Sequence, residues 1–149
     1  MQIHLIAPDQ QEKHLSFGEL LAQADKTLLF FYPKDNTPGC SLEAMDFAQA
    51  VSTFAQQGIQ VVGVSRDSSS SHCKFMTAKG LTFPLISDPE LLLHKHYGAR
   101  GEKKNYGKTF EGTIRSTFLL DQQGTILQER RNVKATGHVA RLKKELGID

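Results

Sequence analysis

The chain has 149 residues, 39% hydrophobic and 23% charged, enough for one domain that buries roughly 70% of its unfolded surface and too few for two. Its 18 basic and 16 acidic residues leave a net charge of +2, too balanced to point to a nucleic acid or a membrane surface as partner. No apolar run approaches the roughly 20 residues of a membrane-spanning helix, and Met1-Gln2-Ile3-His4 opens no secretory pattern, so a single cytoplasmic domain over residues 1–149 is expected.

Gln2 to Ile6 reads as a short strand, Ala7-Pro8-Asp9 as a turn, and Ser16 to Ala24 as a short helix. Thr27-Leu28-Leu29-Phe30-Phe31-Tyr32 is a continuous apolar run ended by Pro33, the pattern of a strand covered on both faces. Pro33 to Gly39 is a polar loop. From Pro38 the spacing turns helical, with Ala44, Phe47, Ala48, Val51, Phe54 and Ala55 on one face and Gly58 as the closing glycine. Ile59 to Val64 is a second buried strand. Ser68 to Ser71 supply capping hydroxyls for a helix that runs to Lys79 and stops at Gly80.

Phe83 to Ile86 is a third strand. Asp88-Pro89 reads as an N-cap with proline at the first helical position, opening a helix that ends at Gly98. Ala99 to Thr113 is a long loop, a length that in a compact domain points to function. Ile114 to Leu120 alternates as a strand and forms a hairpin with Thr125 to Glu129 around the turn Asp121 to Gly124. His138 to Leu146 closes the chain as a helix. The order β-α-β-α-β-α-β-β-α gives an α/β layered sheet ending in a hairpin.

The two cysteines, Cys40 and Cys73, are too few for a disulfide scaffold. In a reducing compartment a bridge between them would be transient and catalytic rather than structural. Cys40 lies where a buried strand passes into a helix, the junction at which ligands and chemistry collect in open α/β sheets. There the unpaired N–H groups and the positive end of the helix dipole favour thiolate, so the thiol should titrate below the ~8.5 of free cysteine. Pro38 suits the first helical position, Gly39 leaves room for a small reactant, and Thr37 offers a hydroxyl to cap the helix or bond an incoming oxygen. The alternative for Cys40 is a buried cysteine acting as a small hydrophobe.

Arg115 shares a face with Thr117 and Leu119. If their strand runs antiparallel to Thr27–Tyr32, Arg115 comes beside the start of the Cys40 helix and can support a thiolate and an oxygen substrate. Spacing alone favours an edge-strand surface arginine.

Pro33-x-x-x-Thr37-x-x-Cys40 resembles the active-site signature of the peroxiredoxins. The longer text Phe31-Tyr32-Pro33-Lys34-Asp35-Asn36-Thr37-Pro38-Gly39-Cys40 is similar to the bacterioferritin-comigratory-protein (PrxQ) subfamily. Val62-Gly63-Val64-Ser65, Phe83-Pro84-Leu85-Ile86-Ser87-Asp88, Tyr106-Gly107-Lys108-Thr109, Arg115-Ser116-Thr117-Phe118 and Gly137-His138 carry the likeness through nearly the whole chain.

The resemblance implies a thioredoxin-like fold, a central mixed sheet flanked by helices, and a thiol peroxidase needing no metal, haem or flavin. It implies Cys40 as the peroxidatic cysteine acting on hydrogen peroxide or organic hydroperoxides, Thr37 and Arg115 as its activating partners, and Pro38 and Gly39 lining the substrate. Cys73, 33 positions on, then stands as the resolving cysteine, with thioredoxin or a glutaredoxin-like protein as reductant of a monomer.

Three departures stand out. Met45 occupies the place five residues after Cys40 where many members of the subfamily carry a second cysteine. Ser41 replaces a common threonine, and the usual opening segment is short. Cys73 also falls about one helical turn early. A chance cysteine on a half-exposed helix therefore remains the alternative, leaving a one-cysteine enzyme resolved by an outside thiol.

Other chemistries fit less well. His72-Cys73 and His94-x-His96 lack the usual zinc spacings, and His94 and His96, two apart on a helix, point to different sides. Glu43 stands where a thioredoxin-type C-x-x-C would need its second cysteine. Gly107-Lys108-Thr109 lacks the first glycine of a phosphate loop. A non-enzymatic redox sensor or holdase would use the same reactive thiol.

Overall fold

The computed structural model describes residues 1–148. Four further strands and a separate hairpin are built around three parallel strands, β3 (Lys26–Phe31), β4 (Ile59–Ser65) and β5 (Leu85–Ser87). With β1 (Gln2–Ile6), β2 (Glu12–Ser16), β8 (Ser116–Leu120) and β9 (Ile126–Arg130) they make a mixed seven-stranded sheet in the order β2-β1-β5-β4-β3-β8-β9. The remaining strands, β6 (Arg100–Asn105) and β7 (Lys108–Thr113), pair only with each other. This is the α/β architecture with a central mixed sheet flanked by helices that the resemblance implies.

The apolar run of β3 serves two cores, which is why it does not alternate. Leu28, Phe30 and Tyr32 join the core beneath α2 (Pro38–Ala55), α3 (Ser69–Lys79) and α5 (His138–Glu145). Leu29 and Phe31 face the opposite core, closed by α1 (Phe17–Leu21) and α4 (Leu92–Tyr97). Phe30 stacks on Phe47 with ring centroids 4.4 Å apart, fastening α2 to the middle of the sheet. Among the described residues no helix is long and apolar enough to cross a membrane.

Four elements differ from the sequence reading. Glu12 to Ser16 is a strand, β2, held to β1 by main-chain pairing along an edge that needs no apolar alternation. The supposed loop over Ala99 to Thr113 is the β6–β7 hairpin, closed by Tyr106 and Gly107, whose φ of 52° and 77° suit a tight two-residue turn. The third strand starts two residues later than Phe83 and ends one later than Ile86, at Leu85–Ser87.

The fourth difference is the start of α4. The cap position belongs to Leu91, at φ 63°, rather than to Asp88. Asp88 still satisfies the helix start from outside it: its carboxylate accepts from the backbone N–H groups of Leu92 and His94, each at 3.0 Å. Pro89 therefore sits in the turn before the helix.

Gly63 in β4 is a site of close approach. A Cβ there would lie 2.8 Å from Leu85 Cδ2 and 2.9 Å from Phe30 Cζ. Gly63→Ala is expected to destabilise the fold by about 1–3 kcal/mol through overpacking, measured by urea unfolding. An unchanged midpoint would show that Phe30 and Leu85 give way freely.

Candidate active site

Strand β3 ends at Phe31, and the chain turns through a polar loop into α2. Thr37 holds the cap position with extended backbone, and its carbonyl accepts from Ser41 N at 2.8 Å, the first helical bond. Pro38, Gly39 and Cys40 are the first three helical residues, so the thiol sits among the N–H groups that the helix itself leaves unpaired. The Thr37 hydroxyl does not cap the helix. It donates to the Lys34 carbonyl at 2.8 Å, which leaves its oxygen lone pairs as acceptors.

Cys40 is 1% exposed and packs with Ala44 and Phe47 in the core under α2. Pro38 is exposed beside it and Gly39 half-buried. A Cβ on Gly39 would meet Arg115 Nη2 at 3.4 Å, so the glycine keeps the space beside the guanidinium open.

Arg115 reaches this junction because β8 runs antiparallel to β3, with Phe31 paired to Ser116. The residue just before β8 thus stands at the end of β3 where α2 begins. Its Nη2 donates to Cys40 Sγ at 3.3 Å and its Nη1 to Glu43 Oε1 at 2.6 Å. Partial burial works against its charge, but the Glu43 carboxylate and the Cys40 sulfur outweigh that and raise its pKa.

Glu43 is a member of the site that sequence reasoning considered only as the residue filling a missing cysteine position. Its signal was present: one turn after Cys40, it falls on the apolar face of α2 beside Ala44 and Phe47, where a carboxylate needs a partner. It is fully buried, and Oε2 has no hydrogen-bond partner. Burial pushes its pKa up to about 7, against the pull of Arg115. His138 Nε2 lies 3.9 Å from that oxygen and 2.8 Å from Thr117 Oγ1. Burial, aided by Arg141 and Arg115, lowers the pKa of His138 to about 4, so the ring is neutral beside the carboxyl.

Cys73 stands apart from this group. It is half-buried in α3, a free thiol whose sulfur lies 4.0 Å from the Gln10 carbonyl. Its helix is nevertheless tied to the Cys40 loop through Asp35. That carboxylate accepts from the Tyr32 hydroxyl, the Ser71 hydroxyl and His72 Nδ1, each at 2.7 Å. His72 Nε2 faces the Ile86 carbonyl at 3.0 Å, and the Asp35 N–H donates to Asp67. His94 is buried against Asp88 and Thr113 while His96 is exposed, so the two histidines of α4 do not converge.

The AhpC/TSA family pattern matches residues 3–129. The chain belongs to that family. A putative peroxiredoxin of Mycobacterium tuberculosis is 43% identical over 141 residues, 95% of this chain and 88% of that protein. Peroxiredoxin Bcp of Bacillus subtilis is 41% identical over 138 residues, covering 90% and 87% of the two chains.

Among solved structures, the Xanthomonas campestris bacterioferritin comigratory protein, described in connection with alkyl peroxide reduction, superposes with a TM-score of 0.84 at 36% identity. That match covers 99% of this chain and 90% of the other. The protein is thus a peroxiredoxin of the bacterioferritin-comigratory (PrxQ) group, a thiol-dependent peroxidase that takes a peroxide substrate and a thiol reductant.

The burial of Glu43 has a consequence for pH. A carboxyl whose pKa rises from 4.5 to about 7 on folding supports the fold fully below the lower value, and that support is lost as pH rises through the higher one. Glu43→Gln removes this dependence. Relative to the natural chain, the variant is expected to gain about 1–3 kcal/mol between pH 5 and pH 8.5, measured by urea unfolding. A parallel pair of stability curves would refute the assignment.

Proposed function

We propose that Cys40 is the peroxidatic cysteine, with Arg115 and Thr37 acting on it and on the substrate. The observation that carries this is the Arg115 Nη2 donation to Cys40 Sγ at 3.3 Å on a sulfur in the first turn of α2. The guanidinium sets its charge and one N–H against the sulfur, and its remaining N–H groups can bond a peroxide oxygen. The Thr37 hydroxyl has spent its proton on Lys34, so it accepts the hydrogen of the incoming hydroperoxide and turns it toward the sulfur. Pro38 and Gly39 border its approach.

The thiolate attacks one oxygen of ROOH, the O–O bond breaks, and Cys40 becomes a sulfenic acid. The alkoxide released takes a proton from solvent to leave as alcohol, or as water when the substrate is hydrogen peroxide. Cys73 thiol then condenses with the sulfenic acid, forming the Cys40–Cys73 disulfide and releasing water. A thioredoxin or glutaredoxin-like dithiol reduces that bridge. An intramolecular pair needs no second subunit, and a bridge renewed every cycle suits a reducing compartment such as the cytoplasm, so we read the enzyme as a cytoplasmic monomer.

Bridging requires Cα atoms within roughly 7 Å, and each cysteine is held inside its own helix. The step therefore includes opening of α3. Its composition supports this: Ser69, Ser70, Ser71 and Thr77 are weak helix formers, and His72, Phe75 and Met76 are its only fully buried residues. Substitution of serine for cysteine at two separate positions in the Xanthomonas protein marks two cysteines of interest there.

Cys40→Ser is expected to abolish peroxide turnover. Arg115→Ala, made in the Glu43→Gln chain so that no buried carboxylate is left unpaired, should lower the second-order rate with peroxide by about tenfold or more while leaving the circular dichroism spectrum intact; an unchanged rate removes its role. After one equivalent of peroxide, mass spectrometry should find Cys40 joined to Cys73 within one chain. A Cys40 sulfenic acid beside a free Cys73 thiol would make this a one-cysteine enzyme resolved from outside.

A further inference from the structure

The edge hairpin β1–β2 carries a cluster that the peroxidase chemistry does not use. Antiparallel pairing sets His4 directly opposite His14 and Ile6 opposite Glu12. Side chains two apart on a strand share a face, so His4, His14 and Glu12 lie together on the side of Ile6, which packs into the core under α3. The His4 and His14 ring centroids are 4.2 Å apart. His4 Nε2 is in direct hydrogen-bond contact with the Glu12 carboxylate. Ser69, the first residue of α3, brings its hydroxyl to 3.3 Å from His4 Nε2 and 3.2 Å from Glu12 Oε1.

One ligand atom from each of His4, Glu12 and His14 can be chosen so that all lie within 4.8 Å of one another. The three residues are open to solvent: the His4 side chain is 32% and that of Glu12 48% exposed, and His14 is exposed. An ion can therefore enter without the fold opening.

We propose that this hairpin binds one divalent transition-metal ion, Zn²⁺ in particular, through His4, His14 and Glu12. Two imidazoles and one carboxylate make the donor set of three-ligand zinc sites, in which the fourth tetrahedral position stays open for water or another oxygen. Here Ser69 stands beside that position. Imidazole ligands select against Mg²⁺ and Ca²⁺, which prefer oxygen alone. A zinc ion with Zn–N bonds of about 2.0–2.1 Å requires its ligand atoms roughly 3.3 Å apart. The ligand atoms lie within 4.8 Å of one another, so the exposed side chains would rotate inward to hold the ion. No linear zinc spacing is present because strand register, rather than helical spacing, brings the ligands together.

The site also has a structural effect. An ion gripping both strands next to Ser69 pins the outer edge of the sheet where α3 begins. The proposal stands independently of which cysteine resolves Cys40.

The test is calorimetric titration of the reduced, chelator-stripped full chain with Zn²⁺, beside a Cys40→Ser/Cys73→Ser variant that excludes thiol ligands. One equivalent is expected to bind in both. In the cysteine-free background, His14→Gln and Glu12→Gln, each at an exposed position of the edge strand, should each weaken binding by about tenfold or more with the circular dichroism spectrum unchanged. Co²⁺ in the same site should show tetrahedral bands without a thiolate charge-transfer band. Loss of the site in the cysteine-free chain, or affinities unmoved by both hairpin variants, would overturn the proposal.

Discussion

A guanidinium held between a buried carboxylate and a buried sulfur constrains everything around it, because Glu43 cannot carry its charge in the core unaided. Glu43 is fully enclosed with one oxygen unpaired, and an uncompensated buried carboxylate is among the most costly groups a fold can contain. Arg115, with its side chain 15% exposed, brings the compensating charge while staying in touch with water. It can do so only because β8 is antiparallel to β3 in one register. A one-residue slip would turn the side chain to the other face of the sheet.

The two cores divide the labour. The core beneath α1 and α4 covers one face of the sheet with apolar side chains, with Leu29, Phe31 and Phe118 completely covered. The opposite core anchors α2 through Ala44, Phe47, Ala50 and Phe54, so the first turn of a long, firmly packed helix presents the sulfur. The adjoining α3 is shorter and serine-rich. Rigidity where the thiol is positioned and weakness in the neighbouring helix are thus written into composition.

Much of this was legible in the chain. The runs that became β3 and β4 declared themselves because both their faces are buried, and α2 because its apolar residues recur at helical spacing. The caps at Ser68 and Gly80 followed from side-chain chemistry and the need for positive φ. Strand β2 and the β6–β7 hairpin were not legible: Glu12–Ser16 and Arg100–Thr113 are mostly polar and largely exposed, and main-chain pairing holds them. Glu43 was hidden for another reason. A buried acid is recognised by its partner, and that partner lies 72 positions away, a separation that only the sheet register spans. Arg115 itself was reached by assuming that register.

The Asp35 carboxylate collects the hydroxyls of Tyr32 and Ser71 and a ring nitrogen of His72, gathering donors from the end of β3 and the first turn of α3. Buried polar atoms sharing one acceptor are not independent. Remove the acceptor and the Tyr32 hydroxyl and His72 ring are stranded together, so a later change at either costs less than it would have alone. These positions therefore form an epistatic unit. A substitution at one changes what a substitution at the others costs, which couples the loop bearing Cys40 to the helix bearing Cys73.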